Sequence, residues 1–227
     1  MRKLIVVAVL TLALLPGAAR SGIIDWADWA ASDLSISTGS AAGVALTFRG
    51  TLQFAQLANG VMVGSGASST TDYWIENAPA PYTASAVVDN RPPGFELLAF
   101  NAASTNTLLF GSPVTNPVMA IVSMGQLGLG VSYDFDTPFT VLSEGFGFWG
   151  DGTFSTAAGD ILTGNELHAV IQFSGTLTSI SWASTQEFWH GFTIGLVRES
   201  SAPEPGALAL FGIALAGLAA ARRRKPR

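Results

Sequence analysis

The chain alternates apolar and polar residues over many short segments. In residues 44–48 and 167–173, apolar side chains fall at every second position, and mostly apolar rows of the same period occur in 176–182 (Thr178, Ile180, Trp182) and 188–194 (Phe188, His190, Phe192, Ile194). A period of two places such side chains on one face of an extended strand. Further strand-like runs predict strands at residues 52–57, 60–63, 84–88, 96–100, 107–110, 118–124, 131–135 and 139–142.

Turn-forming residues interrupt these runs at intervals of about 8 to 12 residues, as in many all-β proteins. Examples are Asn59-Gly60, the segment 90–94 and Gly150-Asp151-Gly152. We therefore predict an all-β fold, a single antiparallel β-sandwich or jelly-roll-like ectodomain. A β-helix is the structural alternative, but no fixed-period repeat supports it. Residues 25–33 are predicted as a short helix, because Trp26 and Trp29 would share a helical face.

The N-terminus has the pattern of a secretory signal peptide. Arg2-Lys3 is followed by an apolar stretch over residues 4–15 and then by Pro16-Gly17-Ala18-Ala19. Positive charge, a short apolar core and small residues are what signal peptidase recognises. We predict a signal peptide over residues 1–21, with cleavage after Ala19 or after Ser21. An uncleaved membrane anchor is the alternative.

The C-terminus has three consecutive parts. Pro203, Glu204 and Pro205 precede the apolar stretch 206–221, and a basic cluster follows: Arg222, Arg223, Arg224 and Lys225. As a helix the 16 apolar residues span about 24 Å, and snorkelling arginines can make up the difference from a ~30 Å hydrocarbon core. A buried core helix would need a polar face, which this stretch lacks. We predict a transmembrane helix with its basic end in the cytoplasm.

These three parts resemble the PEP-CTERM sorting signal of exopolysaccharide-producing Gram-negative bacteria. The resemblance covers about 25 residues, and the order, spacing and C-terminal position all match. It implies processing by an exosortase, a membrane protease that cleaves near the motif and releases or re-anchors the ectodomain. Pro203, Glu204 and Pro205 would be a recognition site for that enzyme. The predicted organisation is a signal peptide (1–21), an ectodomain (22–200) and a sorting signal (201–227).

The ectodomain is strongly acidic once the two basic ends are set aside. Residues 22–202 hold three arginines, no lysine and 15 acids, a formal charge of −12, whereas the whole chain carries −5. Such a field repels nucleic acid and anionic lipid. The chain has no cysteine, which excludes disulfides, thiolate metal sites and a cysteine nucleophile.

No catalytic residue is predicted. His168 and His190 are the two histidines, and a general base near neutral pH would have to be one of them. The pattern places His190 on the strand face of Phe192 and Ile194, near the edge of the core, and His168 on the face opposite Leu167 and Ile171. No Gly-x-Ser-x-Gly elbow accompanies the many serines. An exported hydrolase acting on polysaccharide or peptide is kept as the alternative function.

Two kinds of ligand site remain open. Asp134, Asp136 and Asp151 are candidate calcium ligands, because oxygen clusters in turns and strand edges suit that ion; solvated surface acids are the alternative. Otherwise no cofactor is predicted. Trp74 and Trp149 adjoin turns and are candidates for stacking on sugar rings, although most aromatic rings pack in cores.

The function predicted from the sequence is that of a non-enzymatic protein of the cell surface or extracellular matrix, associated with exopolysaccharide. Signal peptidase, exosortase and the inner membrane are its expected processing partners. The ectodomain would face the periplasm before processing and the cell surface or exterior afterwards.

Overall fold

The computed structural model describes residues 23–66, 68, 70–197 and 212–213, and residues 24–197 form 18 β-strands. The strands are β1 (Ile24–Trp26), β2 (Asp28–Ser32), β3 (Ile36–Ala41), β4 (Val44–Arg49), β5 (Phe54–Gln56), β6 (Met62–Gly64), β7 (Leu97–Phe100), β8 (Ser104–Thr115), β9 (Val118–Met124), β10 (Val131–Phe135), β11 (Phe139–Glu144), β12 (Phe146–Gly147), β13 (Gly150–Asp151), β14 (Thr153–Ala157), β15 (Ile161–Asn165), β16 (Leu167–Phe173), β17 (Thr176–Ser184) and β18 (His190–Val197).

The strands form two eight-stranded antiparallel sheets and one small hairpin. The first, here the covered sheet, has the order β11-β16-β9-β18-β7-β5-β6, with β1 also paired to β18. The second, the open sheet, has the order β14-β15-β10-β17-β8-β4-β3-β2, and β12 pairs only with β13. The predicted all-β class with antiparallel sheets is confirmed.

The two sheets contribute to one shared core, as expected of a β-sandwich. Phe48 and Trp182 of the open sheet contact Phe100 and Phe192 of the covered sheet, with ring centroids 5.2 to 6.2 Å apart. Most of these rings meet at steep angles, which aromatic quadrupoles favour. The alternating apolar residues of β4, β16 and β17 point into this core, as their period predicts.

A second apolar cluster covers the other face of the covered sheet. The segment between β6 and β7 supplies Tyr73, Trp74, Tyr82 and Val88 to it. All seven residues of β9 are therefore buried, which explains why that strand is apolar on both faces. The strand predicted at residues 84–88 is wrong, because this segment forms bends with a single bridge at Val88, whose side chain is buried against the sheet.

The short helix predicted at residues 25–33 is also wrong. β1 pairs with β18 in the covered sheet, and β2 pairs with β3 in the open sheet. Between them the Ala27 N–H donates to the Ile194 carbonyl at 2.8 Å. The chain passes from one sheet to the other here, so Trp26 and Trp29 are buried in different clusters. Two separate cores, and not one helical face, account for the two tryptophans.

The predictions for both chain ends lie outside the described residues. This applies to the signal peptide (1–21), the Pro203-Glu204-Pro205 motif and the cluster Arg222–Lys225. Of the apolar stretch 206–221, Gly212 and Ile213 are described, and both are helical. In the part of the chain that the structure describes, no helix has the length and apolarity needed to cross a membrane.

Glu96 is a buried carboxyl group at the junction of the two sheets. It is 3% exposed, and the Trp29 N–H donates to its Oε2 at 2.8 Å. Burial raises the pKa of Glu96 to about 7, the Trp29 hydrogen bond acts in the opposite direction, and the nearby Asp28 charge adds to the increase. At neutral pH the fold therefore holds a carboxyl group that would ionise more easily in the unfolded chain.

We predict that Glu96→Gln stabilises the protein near neutral pH. The carboxyl pKa rises on folding from 4.5 to about 7, so the folded state holds more protons and stability falls as pH rises through that window. Gln keeps an acceptor for Trp29 without ionising. Denaturant unfolding should show a gain of about 1 to 3 kcal/mol at pH 7.5 and little change at pH 4.5.

The matched control is Glu144→Gln, at an exposed position of β11. It should leave the unfolding free energy unchanged at both pH 7.5 and pH 4.5. If wild type and Glu96→Gln lost stability equally between pH 4.5 and 7.5, the role assigned to Glu96 would be wrong.

Candidate functional site

A depression of about 450 Å³ beside the β12–β13 hairpin combines aromatic rings with acidic and polar side chains. Four aromatic residues and four polar residues define it, and we call it the aromatic cleft: Tyr73, Trp149, Phe188 and Trp189 with Ser123, Gln126, Glu166 and Glu187. A larger depression of about 840 Å³ lies elsewhere, but no aromatic ring lines it and its one acid is Asp25. Small-molecule sites usually combine aromatic rings with a few polar groups, and the aromatic cleft fits this description better than the larger depression does.

Trp189 is the centre of the aromatic wall. Its ring lies 5.0 Å from that of Tyr73 and 6.4 Å from that of Trp149, both nearly edge to face. Trp189 itself is buried, whereas Trp149 is 53% exposed and Phe188 is 71% exposed. The other five tryptophans of the chain are at most 5% exposed. The wall therefore has a fixed base and two rings that are open to solvent.

The β12–β13 hairpin places Trp149 in the cleft. The Trp149 N–H donates to His168 Nε2 at 3.4 Å, and His168 Nδ1 lies 3.1 Å from the Tyr82 hydroxyl oxygen. The hairpin is also held by the Phe146 N–H, which donates to the Pro79 carbonyl at 2.8 Å. Because Nε2 accepts, the neutral ring carries its proton on Nδ1 and donates to Tyr82.

His168 supports this hairpin as a neutral group. Its side chain is fully buried, and burial lowers its pKa to about 4. A base whose pKa falls on folding costs stability as pH drops from its ordinary value near 6.5 to about 4, because only the unfolded chain then binds the proton. At neutral pH His168 is an acceptor for Trp149 and not a surface base.

Ser123 and Glu166 form the polar floor of the cleft, and both have left-handed backbone conformations. Their φ angles are +55° and +61°, which is uncommon for residues other than glycine. The pairing of β9 with β16 slips by one residue here, between Leu167 and Ala169, so β9 carries a bulge. The bulge aims Ser123 Oγ at Glu166 Oε1, 2.7 Å away. Bulges and strained backbone often occur at functional sites.

Glu187 is the second carboxylate of the cleft. Its Oε2 accepts from the Gly125 N–H at 2.7 Å and lies 3.0 Å from His190 Nδ1. Burial raises the pKa of Glu166, the Ser123 hydrogen bond opposes this, and the Glu187 charge adds to the increase. The two carboxylates therefore influence each other across the cleft floor.

Each carboxylate uses one oxygen to hold the fold. Within the described part of the chain, every hydrogen bond to these two side chains is made by Glu166 Oε1 or Glu187 Oε2. From the residues that the structure describes, Glu166 Oε2 and Glu187 Oε1 accept no hydrogen bond. Both side chains line the cleft, so one oxygen of each remains for a ligand that can donate hydrogen bonds.

The two tryptophans proposed for sugar stacking have different surroundings. Trp149 lies in the aromatic cleft and is exposed. Trp74 is fully buried, with its ring 5.2 Å from that of Tyr82 at 79°. The hypothesis for Trp74 is corrected accordingly, because a ring packed under the β6–β7 segment has no face for a ligand.

The histidines and aspartates do not come together in one site. His168 contacts Tyr82 on the outer face of the covered sheet, whereas the ring of His190 packs against Phe100 and Tyr133 in the shared core. Asp136 Oδ1 accepts from the Ser181 N–H at 3.0 Å, at the end of β10.

The three candidate calcium ligands lie on separate elements. Asp134 is in β10, Asp136 follows that strand, and Asp151 is in β13. Among the residues that the structure describes, no group of three or more His, Cys, Asp or Glu side chains is arranged to hold a metal ion.

The sequence prediction missed Ser123, Glu166, Glu187 and Phe188. These residues come from the end of β9, the turn between β15 and β16, and the loop before β18, which are 21 to 65 positions apart, and no motif links them. Only Phe188 gave a signal. It continues the apolar alternation of β18 beyond the strand, where the ladder has already ended.

Comparison with known proteins identifies one part of the chain. The family model of the PEP-CTERM protein-sorting motif matches residues 201–225, which confirms the resemblance. The motif implies export, a membrane-anchored sorting signal and processing by an exosortase. No curated protein and no solved structure matches the chain.

We predict that Gly147→Ala displaces the hairpin that carries Trp149. A Cβ at Gly147 would lie 2.3 Å from His168 Nδ1, so either the ring or the hairpin must move. We expect a loss of about 1 to 3 kcal/mol in unfolding free energy and a changed acrylamide quenching of the exposed Trp149 emission. Gly130→Ala is the control, since its Cβ would meet only Thr163 Cγ2, at 3.2 Å. Unchanged stability and quenching would contradict this anchoring.

Proposed function

We propose that this protein is an exported, exosortase-processed component of the cell surface or extracellular matrix that binds exopolysaccharide without hydrolysing it. The observation that supports binding is Trp149, a solvent-exposed ring that lines the same depression as the carboxylates of Glu166 and Glu187. The sorting motif at 201–225 supports the route. A signal peptide over residues 1–21 would start export, and signal peptidase would remove it.

The processing route follows from the physical character of the tail. A stretch of 16 apolar residues ahead of a basic cluster would hold the chain in the inner membrane with the ectodomain in the periplasm. The prolines at 203 and 205 disfavour a helix, and an extended segment there would suit the binding groove of a protease. Cleavage there would free or re-anchor the ectodomain at the surface.

The chemistry of the cleft suits a saccharide. Aromatic rings contact the C–H faces of pyranose rings, while carboxylate and amide groups accept hydrogen bonds from the hydroxyl groups. Phe188 and Glu187 also line an adjoining depression together with Gln53, Asn101 and Gln186. The two depressions make a longer surface with amide side chains, which suits several sugar units of a polymer.

A hydrolase is the second candidate, because Glu166 and Glu187 form a carboxylate pair of the kind used in glycoside cleavage. Two observations favour binding over hydrolysis. Glu187 is held by the Gly125 N–H and by His190, so it is part of the structure of its loop. Both histidines are fully buried, and neither is placed to take up a proton from a ligand.

We predict that replacing Pro203-Glu204-Pro205 by three alanines blocks exosortase processing and leaves export intact. The motif is the proposed recognition segment, whereas export depends on the N-terminus. Cell fractionation and intact-mass measurement should detect an exported, untrimmed, membrane-associated form. Equal amounts of trimmed product from mutant and wild type would refute this assignment.

We predict that Trp149→Ala weakens binding to exopolysaccharide purified from the producing cells about tenfold, the equivalent of losing one ring contact worth ~1.5 kcal/mol. Co-sedimentation at fixed ionic strength measures the effect. Phe154→Ala is the control, because this half-exposed ring lies on β14 and lines a different depression. Equal binding by both variants would argue against the cleft, and release of reducing ends by wild type would favour the hydrolase.

A further inference from the structure

We propose that the aromatic cleft selects a polysaccharide that carries free amino groups, with the ammonium of a deacetylated hexosamine bound by Glu166 and Glu187. This inference rests on the proposed function and names the ligand class of the same site.

Each of the two carboxylates has one oxygen that accepts no hydrogen bond from the described residues. Glu187 is 7% exposed, yet its Oε1 accepts no hydrogen bond from any residue that the structure describes, and the side chain lines the cleft. Glu166 Oε2 likewise accepts no hydrogen bond from a residue that the structure describes. An ammonium group has three donors and can bond both oxygens, and a bond between opposite charges is about twice as strong as a neutral one.

Among the residues that the structure describes, no arginine or lysine lines the cleft. His190 Nδ1 lies 3.0 Å from Glu187, but on Oε2, the oxygen that already holds the fold. Of the described arginines, Arg91 forms an ion pair with Asp72 at 2.8 Å, and Arg49 lies at the exposed end of β4. The charge of Glu187 acts on Glu166. A bound cation would relieve that repulsion.

The aromatic wall distinguishes an amino sugar from other cations. Trp149 and Phe188 are open to solvent beside the carboxylates, so one ligand can stack a flat ring and place a charged group on the cleft floor. A lysine side chain supplies the charge without the ring. An N-acetylated sugar supplies the ring, but its amide is neutral and its carbonyl oxygen would face carboxylate oxygens.

The test compares four probes on the exported, purified protein at pH 6.0 by isothermal titration calorimetry. The probes are the β-1,4 tetramers of glucosamine, N-acetylglucosamine and glucose, together with tetralysine. We expect the glucosamine tetramer to bind about tenfold more tightly than either neutral tetramer, because one charge-assisted hydrogen bond changes affinity by about that factor. Tetralysine should bind more weakly than the glucosamine tetramer.

Glu166→Gln keeps the acceptor for Ser123 and removes the charge. It should abolish the preference for the glucosamine tetramer and leave the affinity for the glucose tetramer unchanged. Glu144→Gln makes the same charge change at an exposed site of β11 and should retain the full preference. Because Ser123 keeps its partner in Glu166→Gln, a loss of preference would not follow from misfolding.

Three results would overturn the inference. Equal affinity for all sugar tetramers would show that the cleft binds sugars without reading the amino group, and the proposed function would stand. Tetralysine binding as tight as that of glucosamine would assign the site to cationic peptides. Binding of no sugar tetramer would refute the proposed function together with this inference.

Discussion

Burial of both faces of the covered sheet is the constraint on which the rest of the structure depends. One face packs against the open sheet, and the other is buried beneath the segment between β6 and β7. A sheet without cover on its second face would expose the apolar side of β9, including Val118, Ala120 and Val122. The chain has no disulfide to compensate for such a loss. The long irregular segment is therefore part of the core and not a surface loop.

The same cover builds the cleft. It brings Tyr82 to His168 and Tyr73 to Trp189, and the hairpin with Trp149 rests on His168. On the sheet beneath, the bulge in β9 turns Ser123 toward Glu166. The exposed rings and the carboxylates thus belong to parts of the chain that buried contacts hold in place. A rigid site loses little conformational entropy when a ligand binds, which favours affinity from a small number of contacts.

The sequence predicted strands that alternate with a period of two or are buried on both faces, and it missed strands without either pattern. Residues 118–124, 131–135 and 167–173 were located to the residue, because their apolar side chains face one or two cores. β14 was missed because all five of its residues are exposed, so no burial pattern marks it. The helix at 25–33 and the strand at 84–88 failed for a common reason. The apolar residues of 25–33 divide between two cores, and those of 84–88 pack against the sheet without forming a strand. A local period in the sequence represents neither arrangement. The cleft could not be predicted, since its polar residues meet only through the register slip between β9 and β16.

Hydrogen bonds to one oxygen of each carboxylate explain how the fold accommodates two neighbouring acids. Burying a carboxylate costs free energy unless hydrogen bonds compensate. Glu187 receives the Gly125 N–H and His190, and Glu166 receives Ser123. These described donors position the two carboxylates, and they bond to only one oxygen of each. What remains is a pair of like charges facing an open cleft, in an ectodomain that already carries a charge of −12. A structural role for the pair would be met by neutral acceptors in the same positions. The carboxylate charges, the left-handed backbone at Ser123 and Glu166, and the exposed rings beside them are the features that the proposed ligand would contact with its ammonium group and the C–H face of its pyranose ring.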